Sequence, residues 1–107
     1  MRRMFAENED TYYYITLLNE NYPHPDLPEG AEAGIIKGMY PLKASASNNA
    51  GRHVQLMGCG SILLEVIAAA RLLEEDFGVS SEIWSVTSLT ELRREGQDVE
   101  RWNLLNP

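Results

Sequence analysis

A chain of 107 residues and 12.1 kDa is one domain's worth of polypeptide, long enough to bury a core but too short for a complete cofactor-dependent enzyme. With 44% apolar and 23% charged residues it has the composition of a packed globular protein, which excludes the disordered, collagen-like and membrane-spanning classes. Its net charge of −7 opposes binding to a nucleic-acid backbone or an anionic bilayer, and a lone cysteine, Cys59, fits a reducing compartment. The expected setting is cytoplasmic, with neither nucleic acid nor membrane as partner, and Arg2-Arg3 followed by acidic Glu7 to Asp10 does not form an export signal.

Taken in chain order, the first predicted element is a strand over residues 11 to 18, Thr-Tyr-Tyr-Tyr-Ile-Thr-Leu-Leu, where aromatic and β-branched side chains run without a breaker. A stiff irregular loop follows through Pro23-His24-Pro25-Asp26-Leu27-Pro28, because each proline removes an amide donor and holds the preceding residue extended. From Glu29 to Leu42, glycines at 30, 34 and 38 predict a short or broken helix that approaches a neighbour closely and runs into an extended segment. Residues 45 to 51 are small and polar, as in a linker. They separate a unit over 1–44 from a unit over 52–107.

The second unit reads as strand, helix, strand, helix. His53 to Met57 form the first strand, Gly58-Cys59-Gly60 a turn, and Ser61 a cap for an amphipathic helix that Gly78 ends. Ile83 to Val86 supply a second strand, and Ser88-Leu89-Thr90-Glu91 is a capping box opening a helix to about Trp102. A strand, crossover helix and strand in this order make the two strands parallel neighbours. The fold class is α/β. Parallel sheets are normally covered on both faces, and two helices are too few to do so. The chain therefore either assembles with copies of itself or forms part of a longer protein.

Few residues carry obvious chemistry. Gly58-Cys59-Gly60-Ser61 has part of a dinucleotide fingerprint, but Leu63 stands where the third glycine belongs, and a tight strand-to-helix turn is the simpler role. Cys59 fits packing at that turn better than nucleophilic work. The two histidines, His24 and His53, have no metal-ligand spacing, and His53 reads as structural. His24 differs, because prolines on both sides restrict its backbone before any ligand arrives. Glu20 and Asn21 precede it, where turn chemistry alone would also select them.

Tyr12 to Leu17, Asn19-Glu20-Asn21-Tyr22-Pro23-His24-Pro25, Pro28 to Glu32 and Gly34 to Gly38 together resemble the homodimeric bacterial type of pyruvate dehydrogenase decarboxylating component. Val54 to Leu63, Trp84 to Ser88 and Glu100-Arg101-Trp102-Asn103 are similar to the same family, in the same order. The resemblance implies that residues 1–44 end a pyrimidine-binding domain and residues 52–107 open a transketolase-type C-terminal domain. It implies an enzyme that uses thiamine diphosphate and Mg²⁺ to decarboxylate pyruvate oxidatively and acetylate the lipoyl group of an acyltransferase partner. The expected partners are thus the remainder of the enzyme, a second protomer and that acyltransferase. It also implies that His24 is the catalytic residue of an active-site cleft shaped by Glu20, Asn21 and Tyr22.

The family's Gly-Asp-Gly motif for metal and diphosphate does not occur here, so these 107 residues alone are expected to bind no cofactor and to be inactive. Asn48-Asn49 only echoes the asparagine pair that follows that motif, and the family often has serine or glycine where Cys59 stands. The alternative reading is a non-catalytic α/β interaction or dimerisation module.

Overall fold

The computed structural model describes residues 1–44 and 52–107; the linker expected over 45–51 lies outside the described residues. The elements in order are α1 (Arg2–Phe5), α2 (Glu32–Lys37), β1 (Met39–Lys43), β2 (His53–Cys59), α3 (Ile62–Phe77), β3 (Ser80–Val86) and α4 (Leu89–Leu105). The strands form one sheet in the order β1-β3-β2. β2 and β3 run parallel, in register from His53 opposite Ser80 to Cys59 opposite Val86. α3 makes the crossover between them, as the strand-helix-strand pattern requires. β1 joins the other side of β3 antiparallel, with Met39 opposite Val86 and an irregularity between Pro41 and Lys43.

The core forms where α3 lies on β2 and β3. Leu63, Ala70 and Ile83 are buried together, with Leu42, Leu56, Val66 and Ile67 packed around them. Ile83, at 3% exposure, is the deepest of the apolar side chains and contributes about 1.5–3 kcal/mol by leaving water. Close approach of helix to strand depends on Gly58, where a Cβ would sit 2.8 Å from Leu63 Cα. The other face of the sheet carries Gln55 and Met57 on β2 and Glu82 and Trp84 on β3, by strand alternation. There Gln55 Nε2 donates to Glu82 Oε2 at 3.2 Å, and Met57 is exposed.

Both long helices end or begin as their sequences dictate, with one exception. Gly78 closes α3 in the left-handed region, with its amide on the Glu74 carbonyl and the Val79 amide on the Leu73 carbonyl, the paired bonds of a Schellman ending. Ser88 caps α4, its Oγ accepting from the Glu91 amide at 3.3 Å. Only half of the expected capping box forms. The Ser88 amide donates to the Gly38 carbonyl at 3.1 Å, and the Glu91 carboxylate pairs with Arg94. Ser61, the exception, makes no side-chain cap to α3. Its own backbone is helical, and the Leu63 and Leu64 amides bond back to the Gly60 and Ser61 carbonyls.

Gly38 joins the two halves of the sequence. It ends α2 at φ +103°, and its carbonyl accepts from the amides of both Thr87 and Ser88, while Thr87 Oγ1 donates to the Ile35 carbonyl at 2.8 Å. A Cβ at residue 38 would lie 2.6 Å from the Ser88 carbonyl oxygen, so the close backbone contact expected of this glycine series is realised there.

Two further expectations need correction. Residues 11–18 form no strand; they run as irregular chain with Tyr12 and Tyr14 at 87% and 88% exposure. A strand needs a ladder partner, and no described strand pairs with this segment, so its composition alone does not make one. Gly58 and Cys59 belong to β2, which extends through them to leave Gly60 as the turn.

Candidate functional site

The Pro-rich segment is irregular, as its missing amide donors require. Within it Tyr22 Oη donates to Glu20 Oε2 at 3.2 Å, tying together two of the residues singled out from the sequence. The loop does not stand free. Leu18 and Tyr22 to Pro25 face Gly60, Ser61, Leu63 and Leu64 across a seam of about 30 Å³. A space of that size takes no more than a few waters, so the seam is a close approach of loop and turn and no ligand chamber. Its importance lies in position. Gly60 and Ser61 follow the carboxyl end of β2, the side of a parallel sheet on which α/β folds place their ligands.

His24 and Tyr22 therefore line the same seam, with His24 exposed at the end of the sheet where chemistry is expected. Glu20 is joined through the Tyr22 hydroxyl, whereas Asn21 is exposed and does not line the seam. The opposing wall begins in the Gly58–Ser61 stretch, which the sequence offers as a partial dinucleotide fingerprint but favours as a plain strand-to-helix turn. Its signal was the glycine turn between strand and helix, where Gly60 adopts φ +56°. Cys59 is a free, exposed thiol beside the seam and not part of its lining. His53 lies at the opposite end of β2, hydrogen-bonded to Ser80.

The described residues do not fit a metal-bound diphosphate. They include no group of three or more His, Cys, Asp or Glu able to hold a metal ion. At the start of α3, the amides of Leu63 and Leu64 already bond to protein carbonyls. Away from the seam, the exposed Arg3 guanidinium is held more firmly protonated, first by its hydrogen bond to Glu9 at 2.7 Å and then by Tyr13. A larger hollow, about 390 Å³, is bounded by Lys43, Ile83 and α3 residues from Leu64 to Glu74, away from the His24 loop.

Comparison with known proteins accounts for this arrangement. Residues 38–106, spanning β1 to α4, match the family of transketolase-like TK C-terminal domains. The whole chain is 56% identical to part of the pyruvate dehydrogenase E1 component of Cupriavidus necator. It is also 56% identical, over 99% of its length, to that of Pseudomonas aeruginosa, and over all of its length to that of Escherichia coli K12. It spans 12% of the length of each of these relatives. The chain thus belongs to the transketolase-like C-terminal domain family, in the form that bacterial pyruvate dehydrogenase E1 components carry.

Proposed function

We propose that the chain acts as one part of a pyruvate dehydrogenase E1 component, with the residues before Gly38 ending its pyrimidine-binding domain and those from Gly38, where the family match begins, opening its C-terminal domain. The intact enzyme would decarboxylate pyruvate oxidatively and acetylate the lipoyl group of its acyltransferase partner, working as a homodimer in the cytoplasm. Thiamine diphosphate, held with Mg²⁺ by residues outside this chain, supplies the electron sink for decarboxylation. The observation that carries the reading is the seating of the Pro23-His24-Pro25 loop against Gly60 to Leu64, at the carboxyl end of the parallel strands of a transketolase-like domain.

In this reading His24 does the chain's own chemistry. An imidazole whose backbone is restrained by two prolines loses little entropy in meeting a substrate carboxylate or carbonyl oxygen, and it can hold or donate a proton near neutral pH. Glu20, Asn21 and Tyr22 shape the approach, with the Tyr22–Glu20 hydrogen bond fixing the entry to the loop. The test is His24→Ala and His24→Gln in the full-length enzyme, assayed both for lipoyl acetylation and for pyruvate oxidation with an artificial electron acceptor. Loss of a positioned proton donor lowers the rate by about 10²–10⁴-fold. An unchanged rate in both assays removes His24 from the site. The 107-residue protein with added thiamine diphosphate and Mg²⁺ is expected to show no turnover.

A further inference from the structure

A second hollow plays no part in the seam at His24. It is a groove of about 590 Å³ between the end of α2 and the exposed face of α4. Ile36, Val99 and Trp102 give it an apolar lining, and Ile36 and Trp102 remain 77% and 67% exposed. α4 buries none of its residues, although it is 17 residues long and properly capped. A helix of this length is stabilised chiefly by packing its apolar stripe, so a bare stripe on a family-conforming element lacks its cover.

We infer that the Ile36–Val99–Trp102 groove is the intramolecular seat of a segment of the same E1 polypeptide lying outside these 107 residues, apolar on one face and basic along one margin. The inference rests on the reading of the chain as part of a longer E1 component. Two observations select this occupant. The first is area. The accessible surface is 9126 Å², where a folded monomer of this mass exposes about 6,000 Å². That excess is several times the roughly 800 Å² that one partner buries in a standard interface, so a single docked protein would leave most of it bare. The chain accounts for 12% of its relatives' length, which leaves ample polypeptide to cover it.

Charge is the second. Glu91, Glu95 and Asp98 stand along the α4 wall. Glu91 is matched by Arg94, whereas the ion pairs among the described residues include neither Glu95 nor Asp98. Lys37 lies on the α2 side of the groove. A covering segment that places Lys or Arg along the Glu95–Asp98 margin gains attraction there. An acidic one is repelled, the more so as the chain carries −7 overall.

The test is site-specific photocrosslinking in the full-length enzyme, with Trp102 replaced by p-benzoylphenylalanine. The expected product keeps the mass of one protomer and carries a crosslink from position 102 to a peptide outside these 107 residues with Lys or Arg near its apolar contact. Adding Glu95→Lys and Asp98→Lys should lower the crosslink yield severalfold, whereas Glu100→Lys should not. A crosslinked dimer, a crosslink to the acyltransferase, a crosslink returning within these 107 residues or no crosslink above background each overturns the inference. None of these outcomes bears on His24, whose role is read from activity alone.

Discussion

At the level of single residues, a histidine outside the site is the most sharply determined. Ser80 Oγ donates to the Arg52 carbonyl at 3.2 Å and lies 3.1 Å from His53 Nδ1. A hydroxyl has one proton, so an Oγ that donates to the Arg52 carbonyl accepts from the imidazole, and Nδ1 then carries the hydrogen. Nitrogen NMR of His53 in its neutral form is expected to show the Nδ1-protonated tautomer. Ser80→Ala should abolish that preference and cost about 1 kcal/mol, while an Nε2-protonated ring in the unmodified protein would contradict the arrangement. The structural role read for His53 from sequence is thus given a partner that sequence could not name, because Ser80 lies 27 residues away. His24 stands out in the sequence for the opposite reason: its restraint is local, written in the prolines on either side.

Among the elements, the contrast between Ser61 and Ser88 separates a cap in sequence from a cap in space. Both precede long helices, but Ser88 has extended backbone angles, φ −152° and ψ 104°, that point Oγ at the Glu91 amide, whereas Ser61 is already helical at φ −64° and ψ −26°. Ser88→Ala should therefore destabilise the protein by about 1 kcal/mol. Ser61→Ala should change stability by less than about 0.5 kcal/mol. Denaturant midpoints of the two variants, compared at equal slope, check the difference. α3 and α4 were legible from their periodicity and from Gly78 and Ser88, because those signals act within one or two turns. The region over 11–18 misled because strand formation is settled by a neighbouring ladder, which Tyr12 to Leu18 do not find among the described residues. The order β1-β3-β2 was hidden likewise, since Met39 meets Val86, 47 positions further along the chain.

For the molecule as a whole, dimension is the telling quantity. The radius of gyration is 17.9 Å, against about 13 Å for a compact domain of this length. Small-angle scattering from the isolated 107-residue chain is expected to give a value well above the compact one, with a dye that reports exposed apolar surface binding strongly. A radius near the compact value would mean that the N-terminal arm and α4 fold back on the sheet. The α/β class was legible because the crossover unit is continuous in sequence. The candidate site was only half legible, because His24 and Gly60 meet through the tertiary fold. The irregularity beside Pro41 has one more consequence. A proline cannot donate to a ladder, and a kinked strand makes a poor template, so the margin along β1 is blunted against another ribbon. If the sheet widens in the intact protein, it grows from one side only, with the next strand laid alongside His53 to Cys59.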